Sequence, residues 1–429
     1  MDISITDITD VEKEISIHAS ASELEPHLEK AYKRYAPTIE IKGFRKGKAP
    51  IDLVKKIHGE SIEYNALDTI ASEIYRNVVQ ERDIHPIGDP VLTDIDYKRG
   101  EALSFKIKYE LKPNFQLGDY KNISLEKPIH PVTDAEMDDE ILRLRKSNST
   151  TSEAASAADD EHVVIADIQQ LDEAGTPLIG KKNADTRLYL AGGTMYQEIK
   201  DVLRNAAPGE TKRAKFEAER EGKKQTNHLE LTIKKVEKIN IPELDEALVK
   251  KVTNDKVSTV DEFRKQLREE LEKYWEEQSE RKLIDSLVGE IVRRHDFVVP
   301  ESLIKGVTDS LMEDFKNRYP NKKLPADFNE QEFREQNRGY AVFQAKWYLI
   351  RERLLEAEHL EVSDEDIERY AAAEASKIGI EKERLVAFYK TSGAAQDKIL
   401  SDKLLDLLKK HAIITEKIVE SPEPEDNAT

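Results

Sequence analysis

Apolar residues recur in two rhythms along the first hundred positions. Ile3, Ile5, Ile15 and Ile17 alternate with polar residues, the period of a half-buried strand. From Ser22 the spacing lengthens, and Leu24, Leu28, Ala31 and Tyr35 fall three and four apart, as one face of a helix requires. Pro37 and Pro50 bound a loop. Pro50 suits the first turn of another helix, where its missing N–H costs nothing. That helix carries Leu53, Val54 and Ile57, and Gly59 is predicted to stop it. A longer helix follows, with Ile62, Ala66, Ile70, Ile74 and Val78 four apart. Two strand-like runs, Val91–Tyr97 and Leu103–Leu111, precede Pro113. Residues 1–112 thus predict an α+β unit, a helical pair laid on a small antiparallel sheet.

Residues 113–160 read as a linker. Pro113, Pro128 and Pro131 keep its first half extended. Thr133 with Glu136 predicts a capping box for a short helix to about Lys146. Ser147–Asp160, rich in Ser, Thr, Ala and Asp, is predicted to be flexible. Residues 161–238 predict a small β-rich module, with Val163–Leu171 and His228–Val236 as outer strands and a helix near Thr194–Asn205. From Ile239 the rhythm is helical: Phe263, Leu267, Leu271 and Tyr274, then Leu283, Leu287 and Ile291. After Pro300, helices are predicted to about Tyr319 and over Glu330–His359, Asp364–Gly379 and Ala394–Lys410. The span 239–429 is therefore an all-α body, ending in an acidic tail, Ser421–Asp426, expected to be disordered.

Composition narrows the chemistry. The 429 residues carry 86 acidic and 67 basic side chains, a net charge of −19, so any nucleic-acid contact must come from a local basic island. The absence of cysteine excludes disulfides, thiolate metal sites and a cysteine nucleophile. The ten histidines show no metal-ligand spacing, and no Gly-rich phosphate loop with Lys-Ser/Thr occurs, so neither metal, cofactor nor an ATP-driven cycle is expected. No run approaches the roughly 18 apolar residues of a membrane helix. The acidic start, Met1-Asp2-Ile3-Ser4, is unlike a signal peptide, so a cytoplasmic location is expected.

The island lies at residues 41–56, where Lys42, Arg45, Lys46, Lys48, Lys55 and Lys56 face the single acid Asp52. Gly43 and Gly47 bracket Phe44-Arg45-Lys46 and permit a tight turn that pushes three side chains outward. Cations beside an exposed aromatic would make a docking tip for phosphates, carboxylates or an apolar surface. An ordinary solvated loop with Phe44 folded into the core is the other reading that composition allows.

The string Gly43-Phe44-Arg45-Lys46-Gly47-Lys48-Ala49-Pro50 resembles the Gly-Phe-Arg-x-Gly-x-x-Pro signature of the bacterial trigger factor family, matching all five fixed positions. The order of regions resembles that family too. The resemblance implies a ribosome-binding domain over 1–112, a linker, an FK506-binding-protein-type peptidyl-prolyl isomerase domain over 161–238, and a helical chaperone body with two arms over 239–429. It implies that Phe44, Arg45 and Lys46 contact an exit-tunnel ribosomal protein and adjacent ribosomal RNA. It further implies an ATP-independent chaperone that holds nascent and unfolded polypeptides, assists folding and export, and forms a homodimer off the ribosome.

In the middle module the family's pocket segment corresponds to Tyr196-Gln197-Glu198-Ile199-Lys200, followed by Pro208-Gly209-Glu210. Ile199 replaces the pocket aromatic, and Ile168 stands where the first strand usually offers another. Only Tyr189, Tyr196 and Phe216 are aromatic in this span, and the flap from Phe216 to Leu229 is charged. Tyr196 is left to supply one wall, so isomerase activity is expected to be weak or absent. An isomerase whose helical region recruits substrate is the alternative, and a secreted helical chaperone is disfavoured by the start of the chain and the Gly43–Pro50 loop. Eight aromatics fall between Phe315 and Tyr348, of which Phe343 and Trp347, four apart, are expected in a helix-packing core.

Overall fold

The structure is a computed structural model that describes residues 1–192, 195–220, 223–325 and 327–419. The chain runs through β1 (Asp2–Asp7), β2 (Glu12–Ser20), α1 (Ala21–Tyr35), α2 (Ile51–Glu81), β3 (Pro86–Lys98), β4 (Ala102–Leu111), β5 (Ser124–Ile129), α3 (Asp134–Ser147) and β6 (Thr150–Glu153). Next come β7 (His162–Leu171), β8 (Pro177–Tyr189), α4 (Gln197–Leu203), β9 (Thr211–Arg220) and β10 (Lys223–Asn240). The helices α5 (Glu246–Thr253), α6 (Val260–Arg294), α7 (Glu301–Asn317), α8 (Glu330–Gln336), α9 (Arg338–Ala357), α10 (Asp364–Ile378), α11 (Lys382–Thr391) and α12 (Gly393–His411) lead to β11 (Ile413–Ile418). The acidic tail lies outside the described residues. The fold is mixed, with a β-rich middle and a helical C-terminal part, and divides into two compact units: residues 1–127 with 281–416, and residues 128–280 with 417–419.

In the first unit, the antiparallel sheet β1-β2-β4-β3 carries the alternation read from the sequence. Its register lines up Ile3, Ile17, Phe105 and Ile95 in one row, and Ile5, Ile15, Ile107 and Leu92 in the next. Helices α1 and α2 lie on that face and bury Leu24, Tyr32, Ile62, Ala66, Ile70, Ile74 and Val78. Contrary to expectation, α2 passes unbroken through Gly59. A mid-helix glycine costs only about 1 kcal/mol. Here the space of its missing side chain is filled by Arg99, whose Nη2 would sit 2.6 Å from a Cβ. Ile57, expected on the buried face, is 53 % exposed.

The same unit holds a helical core of Leu283, Leu287 and Ile291 from α6, Ile350 and Leu354 from α9, and Leu404 and Leu408 from α12. Phe343 and Trp347 pack against it, as expected. Ile123, just before β5, and Leu125, within it, complete this core, and β5 pairs with β11. Neither β11 nor α11 was expected. Helices α10, α11 and α12 share a smaller core of Ile367, Ala371, Tyr389, Ala395 and Ile399.

The second unit is built on a sheet of order β6-β10-β7-β8, with β9 also pairing β10. The strands expected on the outside, β7 and β10, are its central pair. Their inward residues, Val164, Ala166, Leu231, Ile233 and Val236, are all buried, which only a covered position allows. The stretch expected to be flexible supplies β6, paired with β10, and buries Ala157 in the core. The expected helix at 194–205 is α4, and Thr194 lies outside the described residues. Thr133 caps α3 by accepting from the Glu136 N–H at 3.2 Å. The reciprocal half of the capping box is diverted, because the Glu136 carboxylate accepts from Trp275 Nε1 at 2.6 Å and pairs with His130 Nε2 at 2.9 Å. Among the described residues no helix is long and apolar enough to cross a membrane.

Candidate functional site

The basic island forms a folded tip between α1 and α2. Ile41 is buried and anchors its near end, and Pro50 precedes the first turn of α2. Three backbone bonds close the tip: Phe44 N–H donates to the Ile41 carbonyl (3.0 Å), Gly47 N–H to that of Ile39 (3.1 Å), and Lys48 N–H to that of Arg45 (2.9 Å). Gly43 and Gly47 adopt φ of +95° and +72°, the left-handed region that glycine enters without penalty. Gly47 is doubly required, because a Cβ there would lie 2.6 Å from the Pro37 carbonyl oxygen.

This geometry decides between the two readings of Phe44. Its side chain is 43 % exposed, on a tip whose Lys42, Arg45, Lys46 and Lys48 are also exposed. The cations are not equivalent. Lys55 is committed to the fold: it pairs with Glu29, lies 5.1 Å from the centre of the Tyr32 ring, and is raised above the usual lysine range by its bond to Glu29. Lys56 remains exposed beside the tip. The island therefore offers five outward cations where the sequence suggested six.

Farther along α2 sits a residue the sequence reading missed. Glu63, on α2, is only 4 % exposed. Its carboxylate accepts from Tyr32 Oη on α1, from Tyr97 Oη on β3 at 2.6 Å, and from Arg99 Nε at 3.1 Å. Burial and then the bond to Glu63 push the Tyr32 hydroxyl up to about 12. The same causes raise Tyr97. The signal was present: Gly59, Glu63, Ala66 and Ile70 keep core spacing, so the acid occupies an inward position.

In the middle module, Ile168 and Ile199 both join the core with Leu203, Leu231 and Ile233. Ile199 is 8 % exposed, packed as a core residue. Tyr196 stands at the surface, 43 % exposed, and its ring meets that of Phe216 at 4.3 Å and 33°. The three candidate pocket residues thus divide into two core aliphatics and one half of an aromatic pair, whose partner the sequence reading left unassigned. The charged flap is the hairpin of β9 and β10. Among the described residues no group of three or more side chains could hold a metal ion.

The family model described as bacterial trigger factor protein matches residues 1–144, and that of the bacterial trigger factor C-terminus matches 259–410. The chain is 31 % identical to the trigger factor of Salinibacter ruber, across 95 % of this chain and 93 % of that protein. It is 30 % identical to the trigger factor of Chloroherpeton thalassium, across 99 % of each. A solved chain from work on promiscuous substrate recognition in folding and assembly activities of the trigger factor chaperone aligns with 96 % of this chain and 99 % of its own, at 21 % identity and a TM-score of 0.49.

Proposed function

The chain belongs to the bacterial trigger factor family of ribosome-associated chaperones, and from that premise we propose that it docks on the ribosome through the tip Gly43–Pro50. The carrying observation is Phe44 held outward among exposed cations on a tip fixed by three backbone bonds. In this reading Phe44 enters an apolar recess of an exit-tunnel protein. Arg45, Lys46 and Lys48 meet acidic side chains or ribosomal RNA phosphates, which suit charge-assisted bonds. Gly43, Gly47 and Pro50 shape the tip.

The rest of the chain is assigned accordingly: docking domain 1–112, connecting segment 113–160, isomerase-type module 161–238, and helical body 239–429. The body holds nascent and unfolded polypeptides in the cytoplasm without ATP, and the protein forms a homodimer off the ribosome. A surface for many clients needs small apolar patches separated by charge, since one large patch would aggregate. Exposed Tyr340, Tyr348, Ile378 and Phe388 among charged neighbours supply such patches. The middle module retains the fold with little catalysis, a reading supported by the burial of Ile199 in its core.

The test is ribosome co-sedimentation. Replacing Phe44, Arg45 and Lys46 together by alanine should abolish most binding and leave stability within about 0.5 kcal/mol, as for other exposed sites. If three to five cations meet phosphates, log K should fall with log[salt] at a slope of roughly −2 to −4. Undiminished co-sedimentation of the triple variant refutes the assignment.

A further inference from the structure

The start of α7 is capped from elsewhere in the first unit. Pro300 precedes the helix and provides no side-chain cap. The first two amides, Glu301 N–H and Ser302 N–H, donate instead to the two oxygens of Glu110, on β4, each at 2.8 Å. A negative carboxylate at a helix N-terminus also meets the positive end of the helix dipole. Three further contacts gather at the same joint. Gly88, on β3, lies so close to Ser302 that a Cβ would come within 2.4 Å of the serine Cβ. Lys112, just past β4, donates to Glu352 of α9 at 2.9 Å. Arg338 grips Glu301 with two bonds, at 2.6 and 2.7 Å, tying α9 to α7.

We propose that Glu110 is a positioning residue that fixes the α7–α9 helix pair to the docking sheet by capping α7 in trans. The tip at Gly43–Pro50 is continuous with α2, α2 packs on the sheet, and Glu110 bonds the sheet to the start of α7, beside the Gly88–Ser302 and Lys112–Glu352 contacts. The orientation of the helix pair relative to the tip is therefore set at this joint. Its value for holding clients rests on the chaperone function proposed above, whereas the joint itself does not.

The experiment separates a tether from a helix cap. Because the chain has no cysteine, Lys98→Cys and Ala357→Cys place spin labels on exposed positions of β3 and α9 without background. In full-length Glu110→Ala, the Glu301 and Ser302 amides should exchange about fivefold to tenfold faster, the loss expected for one cap. The label-to-label distance distribution should broaden, and suppression of aggregation of a denatured protein should fall severalfold. Adding Pro300→Asp supplies α7 with its own cap. It should restore the Ser302 amide but neither the narrow distance distribution nor the holding. A distribution unchanged in Glu110→Ala, or one narrowed again by Pro300→Asp, overturns the proposal. A wild-type protein that suppresses no aggregation contradicts the chaperone function and not the tether, which the distances decide alone.

Discussion

Replacing Glu63 by glutamine measures how far the N-terminal α+β region depends on one buried carboxylate. The two carboxylate oxygens serve two tyrosine hydroxyls that are themselves buried, Tyr32 from α1 and Tyr97 from β3. Glutamine retains one carbonyl oxygen, enough for one tyrosine, and turns an amide donor toward the other. One buried hydroxyl is then left without an acceptor, at about 1–3 kcal/mol. Arg99 is half exposed and can turn to water, so its loss adds little. Alanine strands both hydroxyls and should cost about 2–5 kcal/mol. Hydrogen exchange of the full-length protein reads these values locally. Each 1.4 kcal/mol is about tenfold, so peptides covering Tyr32 and Tyr97 in Glu63→Gln should exchange about fivefold to a hundredfold faster. The alkaline limb gives a second reading. The Tyr32 hydroxyl, ordinarily at 10.0, is pushed up to about 12, so its contribution is complete below 10 and disappears as pH rises from 10 to 12. Without the carboxylate the shift shrinks, and Glu63→Gln should lose less stability across that window than wild type. Exchange within twofold of wild type in both peptides would refute the argument, because both hydroxyls would then have other acceptors.

Gly47→Ala should move the tip, since its Cβ meets backbone of Pro37 at 2.6 Å, whereas Gly43→Ala opens onto free space and carries only the backbone penalty of about 1–2 kcal/mol. Ribosome co-sedimentation should therefore weaken more for the first, and equal effects would contradict the steric account. Burial pushes the Asp366 carboxyl up, but Lys403 and the Ser363 cap outweigh it and hold it well below its ordinary 3.8. The stabilisation is thus present above 3.8 and lost as pH falls below it, and Asp366→Asn should cost about 1.5–3 kcal/mol at neutral pH and flatten the acid limb of urea unfolding. Prolyl isomerisation faces a barrier of about 18–20 kcal/mol, and with Ile168 and Ile199 in the core the Tyr196–Phe216 pair is the aromatic contact, among the described residues of the module, that could enclose a proline ring. Proline-limited refolding should be accelerated little by the full chain, and a rate matching an ordinary FK506-binding protein would show that the pocket lies elsewhere.

What the sequence disclosed was whatever a local rhythm encodes. The fourfold spacing of Ile62, Ala66, Ile70, Ile74 and Val78 located the buried face of α2, and the Gly43–Pro50 string located the tip. Gly59 misled because a glycine looks alike in sequence whether it ends a helix or admits a neighbour such as Arg99. The central placement of β7 and β10 was hidden because strand order depends on pairings far apart in sequence. Glu63 and Glu110 were hidden for a related reason. Their partners, Tyr97 and the amides of Glu301 and Ser302, lie 34 to 192 positions away, so spacing can mark Glu63 as inward but cannot say what either acid meets.

The pairing of β5 with β11 bears on how the protein is made. Ile413 donates its amide to the Ile123 carbonyl, across 290 positions of chain. At synthesis rates of about 5–20 residues per second, roughly 15–60 s separate the emergence of the two partners. Through most of that interval Ile123 and Leu125 are made while the α9 and α12 side chains of the same core are still unmade. The β1-β2-β4-β3 sheet, by contrast, closes within the first 111 residues and needs nothing later to pair its strands. A growing copy of this chain should therefore present a finished N-terminal sheet domain trailed by apolar chain whose partners are still unmade, which makes the nascent protein itself a candidate client for a ribosome-associated chaperone.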